Sequence, residues 1–350
     1  MSIARRWLFY RAFLEKEFAG SAPSLGWRLR SLLRGHPSKG LAMLEDRAYR
    51  EHDYFSFTLQ GRRRGTYNRR LTSALSNKLD QKLWLDRVMP SVAPPITHYV
   101  AGRKLIGLGG EILELDALLQ LLAEKGELFL KPAGDGEGIG AMRLVQMPDG
   151  ILVNGRSIEP RQWLERFSRD KPSGYIVSDI IRQGTWSEAF FPATLNTLRI
   201  LTGTHFSDHR PILLAATMKM GRPTTFPTDN WHSGMNGGVA ARVDVETGVL
   251  AAGLVYNTAQ RRRDRMEAHP ETGVRIEGNA VPDWLGVRTT MLELASLLPY
   301  PGLVGWDVAL MPAGIVIVEA NTSTGLDINQ CHGSLKQTAE QRGFWAEMGM

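Results

Sequence analysis

The sequence predicts a mixed α+β protein, and three observations carry that prediction. Apolar residues Leu79, Leu83, Trp84 and Val88 fall at helical spacing, so a helix is expected from about Ser76 to Val88. From Leu198 onward the pattern is mainly strands and hairpins. Near the end, Gly305 to Leu310 and Val316 to Asn321 read as two paired strands, with Met311-Pro312-Ala313-Gly314 as the turn between them.

The rest of the chain fills in around these anchors. Residues 1 to about 75 read as helices and polar turns, broken at Gly20-Ser21-Ala22-Pro23 and Gly35-His36-Pro37. Pro90, Pro94 and Pro95 stop the first helix, and a second is expected from Leu113 to Leu122. Glu127 to Lys131 reads as a strand, Gly134 to Gly140 as a glycine-rich loop, Ala141 to Gln146 and Ile151 to Val153 as strands, Arg161 to Phe167 as a helix, and Tyr175 to Arg182 as a strand. Strands follow at Leu198 to Thr204, Ile212 to Met220, Gly238 to Val245 and Val249 to Val255. A helix from about Asp283 to Leu298 precedes the closing hairpin.

With 350 residues and 43% hydrophobic content, the chain can bury a large core and is expected to form two or three subdomains. No fixed-period repeat is apparent, and no apolar run approaches the roughly 18 residues of a membrane span. Arg5, Arg6 and Arg11 interrupt Trp7-Leu8-Phe9-Tyr10, so no signal peptide is expected. The single cysteine, Cys331, permits no internal disulfide and suits a reducing cytoplasm.

The net charge of +6 is local, concentrated between Arg5 and Arg70. Arg28, Arg30, Arg34, Lys39, Arg62-Arg63-Arg64 and Arg69-Arg70 are interleaved there with Trp27, Leu29, Leu32 and Leu33. Such a segment suits anionic lipid, nucleic acid or a phosphorylated substrate. The simpler expectation is an amphipathic helix with its apolar side on the core and its basic face in solvent.

Two constellations carry chemistry. Asp307, Glu319 and Asn321 place three hard oxygen donors on the paired strands, with Glu319 and Asn321 on one face. That set suits Mg²⁺ better than zinc or copper. Gly134, Gly136, Gly138 and Gly140 form a loop whose backbone N–H groups can close over phosphate oxygens without a Cβ in the way. A P-loop is excluded because no Gly-Lys-Ser/Thr follows, and a dinucleotide fold is disfavoured because a strand, not a helix, comes next. Lys131, at the end of the preceding strand, can reach the same phosphates.

Taken together these residues resemble the ATP-grasp ligases, over about Asn77 to Gln330. The resemblance implies two α+β lobes with ATP held between them: a helical basic extension at 1–75, an N-terminal lobe at 76–125, a small subdomain with the flap at 126–185, and a C-terminal lobe with the metal site at 186–350. It implies Lys82 as a nucleotide-binding residue, with Lys78 competing for the role. Ser178, Asp179 and Ile180 are implied beside the nucleobase, where the family usually places Glu. Leu195-Asn196-Thr197-Leu198-Arg199, Met218-Lys219-Met220-Gly221, Asp229-Asn230, Gly237-Gly238, His269-Pro270-Glu271-Thr272-Gly273 and Val281-Pro282-Asp283-Trp284 are similar to the sugar-transfer-associated subgroup. Lys219 stands where that subgroup often has Arg.

The implied activity is carboxylate–amine ligation through an acyl phosphate. ATP and Mg²⁺, with Mn²⁺ as an alternative, are the implied cofactors. Asp307, Glu319 and Asn321 would hold the metal. Arg199, Lys219 and Lys131 would stabilise the transferring phosphoryl group, and Asp229 and Asn230 would join the nucleotide contacts. A small carboxylate and an amine, such as a sugar acid or amino acid, are the expected substrates, and a glycosyltransferase the expected partner, in surface polysaccharide or sugar-conjugate synthesis. The protein is expected in the cytoplasm, with peripheral membrane contact allowed and no nucleic acid. A phosphotransferase and a nucleotide-bound scaffold are the alternatives.

Weaker signals are His205 and His209, whose turn setting does not suit zinc, and Cys331, which has no identifiable base partner. Arg261-Arg262-Arg263-Asp264-Arg265 lies in an apparent loop from Gln260 to Pro282, expected to emerge near the metal hairpin and face an anionic substrate.

Overall fold

The computed structural model describes residues 13–14, 17–18, 24–44, 54–134, 138–170, 173–231, 237–257, 259–260 and 262–350. The break at Gly20 to Pro23 and the arginines at 5, 6 and 11 lie outside the described residues, as do Gly136 and Arg261.

Among the described residues, the N-terminal region forms helices. It contains α1 (Leu25–Leu33), α2 (Ser38–Leu44), α3 (Phe57–Tyr67) and α4 (Arg69–Leu75). Ser24 and Ser56 cap α1 and α3 by accepting from the backbone N–H groups of Trp27 and Leu59. Helix α5 (Lys78–Val88) is capped by Asn77, which accepts from Leu79, and it gives way to a 3₁₀ turn at Pro90–Val92.

One antiparallel sheet holds β1 (Ile96–Ala101), β2 (Lys104–Gly107), β3 (Ile112–Glu114), β4 (Glu127–Pro132), β5 (Met142–Met147), β6 (Gly150–Val153), β7 (Arg156–Ile158) and β8 (Ser173–Ser178), in the order β3-β2-β1-β8-β4-β5-β6-β7. Helices α6 (Ala117–Lys125) and α7 (Pro160–Asp170) contribute Leu118, Leu122, Trp163 and Phe167 to a core shared with Leu128, Leu130, Leu144 and Val177. The expected helix from Leu113 to Leu122 is corrected. Ile112 to Glu114 pairs with β2, and the helix starts at Ala117. Ile112 and Leu113 stay exposed on this edge strand, so their apolar character imitated a helical face that is not there.

The other antiparallel sheet holds β9 (Thr197–Thr204), β10 (Pro211–Met220), β11 (Val239–Val243), β12 (Leu250–Asn257), β13 (Arg262–Met266), β14 (Gly302–Leu310) and β15 (Ile315–Asn321), in the order β13-β12-β11-β10-β9-β14-β15. Every residue of β14 is buried, as expected of an inner strand flanked by β9 and β15. A short helix, α8 (Thr185–Phe190), follows the first sheet, α9 (Trp284–Ser296) packs across β9 and β10, and α10 (Asp327–Gln330) and α11 (Ala339–Glu347) complete the chain.

Polar side chains tie the N-terminal helices to the closing hairpin. Asn68 Nδ2 donates to the carbonyls of Leu303 and Thr322 at 2.5 and 2.6 Å, and its Oδ1 accepts from the Leu303 N–H at 2.8 Å. Gln60 Oε1 accepts from the Leu326 N–H, and Gln330 bonds both backbone groups of Phe55. Gln81 bonds both backbone groups of Ala320, at 2.7 and 2.9 Å. Satisfying buried backbone groups in this way fixes α4 and α5 against the hairpin that carries Glu319 and Asn321.

Candidate active site

A cavity of about 340 Å³ lies between the two sheets. Its walls come from the ends of β4 and β8 on one side and from β9, β10, β14 and β15 on the other.

The second sheet supplies a row of charges through cross-strand register. Asp307 on β14 lies opposite Arg199 on β9 and Glu319 on β15, and Gly305 lies opposite Asn321. Arg199 grips Asp307 with two prongs, Nε to Oδ1 at 2.7 Å and Nη2 to Oδ2 at 3.1 Å, while its Nη1 donates to Thr324 Oγ1. Lys219 Nζ sits 3.2 Å from both Asp307 Oδ1 and Asp229 Oδ1. Its compact ammonium bridges two carboxylates that a flat guanidinium would meet differently. Asp229 also accepts from the Thr197 N–H and hydroxyl, at 2.8 and 2.5 Å.

Asn196-Thr197-Leu198-Arg199 therefore divides its labour residue by residue. Asn196 Nδ2 donates to the carbonyls of Ser187 and Phe191 at 2.9 Å each, and its Oδ1 accepts from the Gly221 N–H, which fixes the loops at the cavity mouth. Thr197 holds Asp229, Leu198 is in the core, and Arg199 faces the cavity.

Three further groups complete this end. Lys131 Nζ donates to the Val318 carbonyl at 3.0 Å, and Lys78 Nζ lies 3.4 Å from Glu319 Oε1. Burial holds Lys131 well below its ordinary value, to about 8, with the neighbouring Lys78 charge adding to the effect and Glu319 opposing it. Burial alone would raise Asp307, but the Arg199 and Lys219 charges outweigh it and hold the carboxyl at about 2. Asp229 goes the other way, raised because burial exceeds the pull of Lys219.

Of the nucleotide-end residues expected from sequence, Ser178, Asp179, Ile180, Asn230 and Gly138 line the cavity. Ser178 Oγ donates to the Phe129 carbonyl on β4, and Asp179 pairs at 3.2 Å with Lys125 at the end of α6, so both polar groups are partly committed. Pro94, Pro95, Ile96, Phe129, Ile180 and Ile181 make the adjoining wall apolar. Gly138 and Gly140 have φ of +70° and +78°, which favours glycine at both positions. A Cβ on Gly140 would fall 2.7 Å from Tyr175 Oη. Gly134 and Gly140 are not part of the cavity wall, and Gly136 lies outside the described residues.

The cavity admits Lys78 and not Lys82. Lys78, Gln81 and Leu85 share the buried face of α5, whereas Lys82 Nζ is paired with Asp86 one turn on, at 2.5 Å. Thr324 and Gln81, which sequence reasoning did not single out, support the site, and no local pattern marks either.

Among the described residues of the segment from Gln260 to Pro282, none lines the cavity. Arg262 to Met266 forms the edge strand β13 beside β12. Its arginines are used locally: Arg263 Nη1 donates to the carbonyls of Met43 and Cys331, Arg262 pairs with Asp264, and Arg265 pairs with Glu277. His269 Nε2 lies 2.9 Å from the Gly221 carbonyl, a structural contact behind the mouth loops. His205 pairs with Glu347, and burial pushes the Cys331 thiol up, away from a reactive thiolate.

Asp307, Glu319 and Asn321 face one cavity as oxygen donors without nitrogen or sulfur ligands. Among the described residues, no group of three or more His, Cys, Asp or Glu side chains is placed to hold a metal. Two carboxylates and an amide fit an ion that takes its remaining ligands from phosphate and water, as Mg²⁺ does. The buried Asn321 Nδ2 has no hydrogen-bond partner in the protein, a donor suited to a phosphate oxygen, while its Oδ1 is the atom that could face a cation.

A two-sheet α+β fold with a charged cavity between the sheets, Gly138 on its wall, is the architecture of a nucleotide-grasping class of protein. The chain belongs to the sugar-transfer associated ATP-grasp family, whose model matches residues 66–341. No curated protein matches it. Among solved structures, it is similar to the D-alanyl-alanine synthetase A of Vibrio cholerae, with 10% identity, TM-score 0.42, and coverage of 79% of this chain and 65% of that one. It is also similar to the ATP-grasp ligase PsnB complexed with a precursor variant, Mg and ADP, with 12% identity, TM-score 0.38, and coverage of 81% and 61%. The N5-carboxyaminoimidazole ribonucleotide synthetase of Thermus thermophilus gives 12% identity, TM-score 0.37, and coverage of 77% and 54%. The chain thus spans less than two thirds of the length of each of these structures.

Proposed function

We propose that the protein is an ATP-dependent carboxylate–amine ligase that works through an acyl phosphate. The observation that supports this most is the meeting of Lys78, Lys131, Arg199 and Lys219 with Asp229, Asp307 and Glu319 in one cavity. Cations suit phosphate oxygens, and the carboxylates suit the metal that accompanies them. Asp307, Glu319 and Asn321 would hold Mg²⁺, or Mn²⁺ in its place, which when bound neutralises phosphate charge.

The carboxylate oxygen of the acid attacks the γ-phosphorus of ATP, the bond to the β-phosphate oxygen breaks, and ADP leaves. The amine nitrogen then attacks the acyl carbon, inorganic phosphate departs, and the nitrogen releases a proton. Arg199, Lys219 and Lys131 stabilise charge on the transferring group, electrostatic work that needs no covalent role for a side chain. Lys78, in preference to Lys82, holds phosphate from α5. Ser178, Asp179 and Ile180 with the apolar wall receive the nucleobase, and Asp229 and Asn230 complete that end. The flap carrying Gly134, Gly136, Gly138 and Gly140 excludes water from the acyl phosphate. A sugar acid or amino acid as substrate, a glycosyltransferase as partner, and a cytoplasmic place in polysaccharide or sugar-conjugate synthesis belong to the same proposal and draw on the family description.

The test is mass spectrometry after supplying ATP, Mg²⁺, carboxylate-bearing nucleotide sugars and a pool of amino acids. A product with the mass of acid plus amine less one water, formed with ADP, supports the ligase. A stable phosphorylated acid would make the protein a kinase, and no ADP under any combination would make it a scaffold.

Lys131 provides a pH signature. With its ordinary value of 10.5 brought down to about 8, its charge is present below about pH 8 and lost above it. The kcat/KM for ATP is therefore expected to fall as pH rises through about 8, because this parameter reports ionisation of the free enzyme. Lys131→Arg, which stays charged, should flatten that limb. An unchanged alkaline limb in the variant would remove Lys131 from phosphate binding.

A further inference from the structure

Helix α1 turns four leucines outward and not into the protein. An apolar side on the core is expected, and in the structure Trp27 meets it while the leucines face out. The side facing inward carries Trp27 and a polar network: Trp27 is half-buried against the cluster of Ala42, Met43 and Leu44, Ser31 is fully buried, its hydroxyl 2.9 Å from that of Ser38, and Glu17 accepts from the Ser38 N–H and hydroxyl at 2.7 Å each. Arg28 Nε joins the network at 2.9 Å from Glu17. The side facing outward is leucine. Leu25, Leu29, Leu32 and Leu33 are 84, 60, 44 and 80% exposed. At helical periodicity they fall within an arc of about 100°.

Arginines border this arc. Arg28 lies on one flank, its guanidinium 5.2 Å from the ring centre of Phe18, which is itself 66% exposed. Arg30 lies on the other flank, over the Trp27 ring. The polar network holds the helix in this orientation, so the leucines cannot turn inward without breaking the half-buried Arg28–Glu17 ion pair and several hydrogen bonds. An exposed leucine arc with cationic borders matches an anionic lipid surface: the apolar side chains enter the acyl boundary and the guanidiniums meet phosphate headgroups. Among the described residues no helix is long and apolar enough to cross a membrane, so contact through α1 is peripheral.

We infer that α1 docks the protein onto an anionic membrane surface through Leu25, Leu29, Leu32 and Leu33, with Arg28 and Arg30 at the headgroups. This surface is separate from the cavity, and the inference stands or falls independently of the ligase reading.

The experiment is co-sedimentation of the full chain with vesicles of phosphatidylcholine alone or mixed with phosphatidylglycerol, at low and high salt. The wild type should partition onto the mixed vesicles and not the neutral ones, and lose binding as salt screens the arginines. Leu25→Ser/Leu29→Ser/Leu33→Ser should reduce partitioning by roughly tenfold or more, and Arg30→Glu by a comparable factor. Because these side chains are exposed, the variants should keep the wild-type Tm, which confirms that they are folded. Three results would overturn the inference: no binding by the wild type, binding unaffected by the leucine substitutions, or a concentration-dependent dimer lost in the leucine variant without vesicle binding. The last would assign the face to a second copy of the chain.

Discussion

Glu319→Gln is expected to lower ATP turnover by about a thousandfold while changing stability by less than about 1 kcal/mol. Two facts set this contrast. Glu319 is the carboxylate of β15 in the proposed metal set, and removing its charge weakens the hold on both metal and phosphate at the reacting end. Its structural attachment is slight, since the contact to Lys78 is 3.4 Å and the Glu319 side chain remains 21% exposed. The substitution keeps shape and hydrogen-bonding capacity. Thermal unfolding and an ADP-release assay on one preparation read both halves. Near-normal turnover in a variant with wild-type Tm would remove Glu319 from the chemistry.

Arg199→Met is expected to fail on both counts, with turnover lost and stability reduced by about 3 kcal/mol. The bidentate grip on Asp307 disappears, and a buried carboxylate is left with Lys219 as its remaining cation. The pH dependence of the loss has a definite sign. In the wild type, Asp307 is held at about 2 against an ordinary 3.8, so its contribution to stability is complete above about pH 4 and fades as pH falls through about 2. Without Arg199 the native carboxyl rises, and acid unfolding should begin at a higher pH. Denaturant titrations at several pH values measure this. An unchanged acid limb would mean that Lys219 alone sets the ionisation of Asp307.

How much of this site could be read beforehand depended on whether each residue answers to a local rule. Asp307, Glu319 and Asn321 were legible because strands alternate with a period of two, so a hairpin alone states which side chains share a face. The glycines at positions 138 and 140 were legible because left-handed backbone leaves a compositional trace. The choice between Lys78 and Lys82 was not. The two are four apart on one helix, and what turns Lys78 into the cavity is the bonding of Gln81 to Ala320, a contact between residues far apart in sequence. The strand at Arg262–Met266 was hidden for another reason. It is an edge strand of charged residues held by backbone pairing to β12, so neither apolar alternation nor turn chemistry announces it. Helix α1 was visible as a helix, but periodicity identifies an apolar stripe without saying which side meets the protein, and here buried Glu17 and Ser31 decide it.

The central claim is that a substrate carboxylate attacks the γ-phosphoryl group of ATP. It is tested most directly by following oxygen. With the acid identified in the product survey labelled with heavy oxygen in its carboxyl group, the released inorganic phosphate should carry one labelled atom, and the amide should retain the other. Unlabelled phosphate formed together with the amide would contradict carboxylate activation on this site.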